Sequence, residues 1–152
     1  MIVRPMTESD IPILIQMGLR AHLESEYRNM RFSPEKCERL GQAMNSLSNL
    51  QCFVVERNEE IIAFLMASVE EGYFTNEKTA SDLLVYVKPE WRGGRAFYML
   101  VFEYIEWAKE QDVKLIFLSN STGYEPAKVG RLYEHLGFHQ VGGIFQMEVK
   151  DV

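Results

Sequence analysis

The sequence predicts a mixed α/β domain: a mostly antiparallel central sheet flanked by about four helices. Three observations carry this. The hydrophobic pattern switches between strand-like runs and helix-like stripes in the order β-α-α-β-β-β-α-β-α-β-β. Most neighbouring strands are joined by short turns, which makes antiparallel hairpins, while one strand-helix-strand crossover in the second half sets a pair parallel. The chain has 152 residues, 47% apolar and 25% charged, and a domain of that size buries roughly 70% of its unfolded surface without a disulfide or metal. One domain over residues 1–152 is expected, with no linker dividing it.

The first element is a short strand over Ile2-Val3-Arg4-Pro5. Thr7-Glu8-Ser9-Asp10 opens a helix, since its hydroxyl can take an orphan amide and its acids suit the positive helix end. Ile11, Leu14, Ile15, Leu19 and Leu23 form that helix's apolar face, which fades by Ser25 into a polar, aromatic connector with Glu24, Glu26, Tyr27 and Arg28. Ser33-Pro34-Glu35 starts a second helix, Ser as cap and Pro at the first turn. Leu40, Ala43, Met44 and Leu47 give it an apolar face.

Gln51 to Glu56 and Ile61 to Val69 are strands joined by the turn at Arg57-Asn58-Glu59-Glu60. A loop with Tyr73 and Phe74 leads to Leu83-Leu84-Val85-Tyr86-Val87, whose continuous apolar character predicts a central strand covered on both faces. A helix runs from about Arg95 to Gln111 on Val101, Tyr104, Ile105 and Ala108, and a strand spans Lys114 to Ser119. Glu125 to Leu136 is helical, with Val129, Leu132, Tyr133 and Leu136 on one side and Gly137 as its stop. Phe138 to Val141 and Ile144 to Val149 are expected to be the last two strands, around Gly142-Gly143.

Composition excludes several functions. Sixteen basic against 22 acidic residues leave a charge of −6, a poor basis for nucleic-acid binding, which draws on clustered Lys and Arg. The two cysteines, Cys37 and Cys52, lack metal-type spacing and suit a reducing, cytoplasmic setting. His135 and His139 are separated by the helix-ending Gly137, so no metal site is expected. No signal peptide or membrane-spanning run is visible.

The segment richest in chemistry is Val85-Tyr86-Val87-Lys88-Pro89-Glu90-Trp91-Arg92-Gly93-Gly94-Arg95-Ala96-Phe97. A strand ends, two glycines follow, and a helix begins. Free amides and the dipole at a helix start attract an anion, and glycines let it approach the backbone. Arg92 and Arg95 could fork onto phosphate oxygens. The alternative is a tight turn with two solvated arginines. Neither a P-loop nor a dinucleotide fingerprint is present.

At this point the sequence resembles the GNAT superfamily of N-acetyltransferases. The likeness rests on Val3-Arg4-Pro5 with Thr7-Glu8-Ser9-Asp10-Ile11-Pro12, on the hairpin around Asn58, on Val87-Lys88-Pro89-Glu90-Trp91-Arg92-Gly93, and on Arg131-Leu132-Tyr133-Glu134-His135-Leu136-Gly137-Phe138. The loop departs from the family's Arg/Gln-x-x-Gly-x-Gly/Ala: with Arg92 first, Arg95 and Phe97 stand where small residues are usual. Phe97 could narrow the site. The Arg-Gly-Gly-Arg-Ala run is similar to that of some phage-type members, which implies a working loop.

The resemblance implies the GNAT fold, acetyl-CoA as co-substrate, and direct acetyl transfer to a primary amine of a small molecule or protein. It implies acetyl-CoA contacts at Val85, Tyr86, Val87, Arg92, Gly93, Gly94, Arg95, Ala96, Phe97 and Asn120. A backbone amide near Tyr86 or Val87 would face the oxyanion. Tyr133 matches the family's usual acid, against the alternative of a core tyrosine on an apolar stripe. Asp82, Glu24 and Glu26 are the candidate bases, each against the alternative of a solvated surface acid. An acidic mouth would fit a cationic amine. A catalytically weak module that binds CoA or a protein partner is the competing reading. Dimerisation is common in the family, so a homodimer stays open.

Overall fold

The computed structural model describes residues 1–120 and 122–149. Ile2–Pro5 (β1), Leu50–Arg57 (β2), Glu60–Glu71 (β3), Lys78–Val87 (β4) and Val113–Phe117 (β5) form one sheet in the order β1-β2-β3-β4-β5. Every pairing is antiparallel except β4 with β5, the product of the crossover through Ala96–Glu110 (α3). Ile11–Glu24 (α1) and Pro34–Ser46 (α2) cover one face and α3 the other, while Pro126–His135 (α4) follows β5. Among the described residues no helix is long and apolar enough to cross a membrane.

Side-chain alternation along β2 divides the interior. Phe53 and Val55 pack with Leu100, Val101, Tyr104 and Ala108 of α3, while Cys52 and Val54 face Ile11, Met17 and Met44 of the other helix layer. Being covered on both faces, β2 and β3 carry unbroken apolar runs. Asn58 and Glu59 at φ 50° and 65° close their hairpin as a two-residue turn whose twist suits the strands.

The helix starts follow their capping chemistry. The Asp10 carboxylate accepts the Thr7 amide at 2.7 Å and an Arg4 guanidinium N–H at 2.8 Å. Ser33 Oγ accepts the Lys36 amide at 3.2 Å, with Pro34 at the first turn of α2. Gly137 takes φ 98°, a left-handed conformation that suits a helix stop.

Several expectations are corrected. Leu19 and Leu23 are exposed, because steps of four residues advance about 40° past each full turn, so α1 buries Ile11, Met17 and Ala21 instead. Leu47 lies past the end of α2 and is also exposed. Residues 138–149 form no strand; Val141 and Phe145 are 73% and 97% exposed. Gly142-Gly143 favours a turn, but a lone hairpin with no face to bury is marginal.

β4 is the most consequential departure. It pairs with β5 only over Lys78 to Ser81. Met66 sits opposite Leu84 and Ala67 opposite Asp82, so Leu83 is an extra, bulged residue. A bulge bends its strand and disrupts the ladder, and beyond this one β4 and β5 part. Leu83 is therefore 44% exposed and Val85 only half-buried, rather than covered on both faces.

Candidate functional site

The gap between the parted strands is the site. A cavity of about 390 Å³ lies between the end of β4, the start of α3, α4 and the last turn of α1. Asp82, Glu24, Tyr86, Gly93, Phe97 and Tyr133 all reach it. Residues scattered over more than a hundred positions thus meet because one bulge opens the sheet.

At the far end stands the glycine turn. Gly93 has φ 79°, and a Cβ added there would meet nothing within 4 Å, so the turn leaves open space against its backbone. α3 begins at Ala96, and its first amides have no intrahelical acceptor. Ala96 is buried, so only its backbone can serve a ligand. Arg95 is exposed at the helix cap. Free amides, an accommodating glycine pair and one cation suit a pyrophosphate. Slot-facing polar groups of residues 83–87, freed from β5, suit the amides of an extended arm.

Arg92 is placed elsewhere than on a phosphate. Its Nε donates to Val87 O at 2.8 Å and its Nη2 to Glu24 Oε2 at 2.7 Å. Its guanidinium also lies 4.8 Å from the Tyr124 ring. The hydrogen bonds take two of the five guanidinium N–H groups and tie β4 to the end of α1. Asn120 is similarly engaged: its amide donates to Tyr124 O at 2.7 Å, although the residue lines the cavity.

The candidate acids and bases separate by environment. Asp82 is buried, not a solvated surface acid; burial pushes its carboxyl up to about 6, opposed by the Ser119 amide that donates to it at 2.8 Å. Glu24 is held by Arg92 and accepts the Tyr86 hydroxyl at 3.5 Å. Glu26 does not line the cavity; its carboxylate accepts the Gln146 amide at 3.1 Å. Glu24 and Asp82 thus line the cavity, together with Glu125 at its rim, while Glu26 does not. Among the described residues no cluster of metal-ligating side chains occurs.

Tyr133 points its hydroxyl at the strand end, donating to Ser119 O at 2.7 Å. Burial, helped by the charge of Asp82, raises it well above the ordinary phenol range, so it stays protonated near neutrality. Its ring stacks on Phe97 at 6.0 Å between centroids and 7° between planes. Phe97, where small residues were expected, thus supports the Tyr133 ring. Ser119 is the shared anchor, its N–H held by Asp82 and its C=O by Tyr133. Sequence reading marks Ser119 with Asn120 as a polar strand end, but not this anchoring role, which lies in the Ser119 backbone. Periodicity places Tyr104 on the buried face of its helix, but could not show that its hydroxyl donates to Phe117 O at 2.8 Å and holds the same strand from beneath.

Comparison with known proteins places this geometry. The model of the acetyltransferase (GNAT) family matches residues 18–138. No curated protein matches the sequence. Three solved structures have the same fold at low identity. A transcriptional regulator from Bacillus halodurans C-125 is 24% identical over 97% of this chain and 99% of its own, with a TM-score of 0.79. A predicted acetyltransferase from Clostridium acetobutylicum, solved with acetyl-CoA, is 18% identical over 97% and 95%, TM-score 0.78. AAC(6')-Iy, solved with a bisubstrate analogue joining CoA to an acetylneamine, is 16% identical over 99% and 98%, TM-score 0.76.

Proposed function

The chain belongs to the acetyltransferase (GNAT) family, and from that premise we propose that it moves an acetyl group from acetyl-CoA directly to a primary amine of a small molecule. The observation that carries this reading is the parted β4–β5 pair, with a helix start at one end and Asp82 and Tyr133 on its walls. A protein amine is the second form of acceptor, and solved relatives that carry small aminoglycosides favour the first.

Acetyl-CoA, when bound, supplies an activated thioester. Gly93, Gly94, Arg95 and the first amides of α3 would hold its pyrophosphate, and the slot-facing backbone of residues 83–87 would hold its arm and offer donors to an oxyanion. Ala96 contributes through its backbone and Phe97 through its ring, while Arg92 fixes the wall rather than touching phosphate. Asp82, ionised above pH about 6, takes the proton that the ammonium must lose before nitrogen can attack. Tyr133 would give its hydroxyl proton to the departing sulfur and regain one as the nitrogen sheds its second proton on forming the amide. That hydroxyl must first leave Ser119 O, which costs about 1 kcal/mol, the net worth of one hydrogen bond.

The direct test is thermal stability with and without acetyl-CoA, followed by thiol release in the presence of amines. At 100 times its dissociation constant, acetyl-CoA should stabilise the fold by about 2.7 kcal/mol. No shift at millimolar acetyl-CoA would refute the cradle assigned to the glycine turn.

A homodimer also has a physical basis. The outer edge of β5 is unpaired among the described residues, and Ile144, Phe145 and Met147, further along the chain, are exposed. Such an edge is a template for another chain's strand. Sedimentation at micromolar concentration should report a dimer, and removal of residues 139–149 a monomer; a monomer in both cases would overturn the pairing.

A further inference from the structure

A second cavity, also of about 390 Å³, lies between α1, α2 and the sheet. It shares Ala21, Leu83, Leu84 and Thr122 with the cavity of the catalytic slot, so the two adjoin across one wall. This is more than twice the volume of roughly 150 Å³ that accommodates benzene in an apolar core.

Its chemistry is one-sided. Ile11, Leu14, Ile15, Met44, Phe64 and Met66 form much of its wall, and among the described residues no Asp, Glu, Lys or Arg lines it. Three of its polar side chains are engaged within the protein. His22 Nε2 lies 2.7 Å from Met30 O, Ser25 Oγ donates to His22 O at 2.7 Å, and Thr122 Oγ1 donates to Asn120 Oδ1 at 3.3 Å. A polycation placed there would lose its hydration with nothing to replace it. A hydrocarbon would lose only its contact with water.

Gly18 supplies an independent observation. It stands inside α1, lines the cavity, and would accept a Cβ with nothing within 4 Å. A mid-helix glycine is less stable than alanine by about 1 kcal/mol, so the space is kept open at a cost to the fold. Gly41, on the facing helix, is different: its Cβ would meet Ile11 at 3.1 Å, which makes it a packing glycine.

We propose that this groove receives the apolar tail of the acceptor, and that the physiological substrate is a primary amine on an alkyl or arylalkyl chain. This rests on the acetyltransferase reading of the slot and refines its acceptor. The tail lies against α1 and α2, and the amine crosses the shared wall at Leu83 and Leu84 to reach the slot. The bulge at Leu83 thus serves both ends, since it parts the strands and forms the threshold between the cavities.

The test is acetylation with saturating acetyl-CoA, read as thiol release, across butylamine, hexylamine, octylamine and 2-phenylethylamine, with neamine and spermidine as polar amines. kcat/KM should rise about threefold to fourfold per methylene, the factor that corresponds to burying ~0.8 kcal/mol of CH2, and should level off once the groove is full. Gly18→Leu should flatten that gradient, and Gly18→Ala, which favours the helix, should move its plateau to a shorter chain. A thermal shift with acetyl-CoA shows that each variant is folded. A flat series, or turnover of the polar amines alone, overturns the apolar acceptor while leaving the acetyltransferase reading intact. An acetyl-CoA shift without turnover of any alkylamine also overturns it. Absence of both shift and turnover overturns the two together.

Discussion

Asp82→Asn is expected to lower kcat by about two orders of magnitude or more, within the range of 10²–10⁴ that a positioned proton acceptor contributes. Asparagine fills the same space and can still accept the Ser119 amide, so the strand end keeps its anchor while the proton acceptor is lost. The pH profile separates the roles. The native carboxyl titrates at about 6, so wild-type kcat should fall as pH drops below that value, and the variant should lose this limb. Wild-type and variant kcat within threefold of each other at pH 8 would remove Asp82 as the base.

The same group makes a stability prediction of opposite sign to the usual carboxylate. Its native value of about 6 lies above the ordinary 3.8, so between the two the native state holds the proton more tightly than the unfolded chain. Unfolding free energy should therefore decline as pH rises from about 4 to about 6. A shift near two units corresponds to about 3 kcal/mol. Asp82→Asn removes that decline, and chemical denaturation at pH 4.5 and 7.5 measures it. An identical slope in the variant would mean that Asp82 carries no buried charge.

Tyr133→Phe is expected to cost about two to three orders of magnitude in kcat with little change in acetyl-CoA affinity, the pattern of a group that acts on the leaving atom alone. Phenylalanine preserves the stack on Phe97, so the ring stays in place. The lost bond to Ser119 O costs stability of about 1 kcal/mol, more if the carbonyl stays dry. Comparing kcat with unfolding free energy thus distinguishes a proton donor from a strut. Loss of stability with unchanged turnover at saturating substrates would make Tyr133 structural only.

Much of this fold was legible in the sequence because it is written in local chemistry. Thr7 with Asp10, Ser33 with Pro34, and Gly137 mark helix ends through hydrogen bonds or backbone conformations that span a few residues. Asn58 and Glu59 set a tight turn by the same logic. The glycine turn before α3 was visible as a strand-to-helix turn, and the family resemblance pointed to Tyr133. The reach of Arg92 was not legible, since its partner Glu24 is 68 positions away.

Sequence by itself determined the class of fold, the helix starts, the strand-to-helix turn and the tyrosine facing it. Periodicity and capping act over one turn or one pleat, so they survive in a linear reading. Tertiary structure decided the rest. The bulge at Leu83 depends on the register between β3 and β4, which no single strand contains. That register parts the sheet, buries Asp82 enough to lift its carboxyl and puts Leu83 on the wall shared by the slot and the apolar groove. The final strands failed for the same reason, since alternating apolar residues become a strand only where another edge completes their hydrogen bonds.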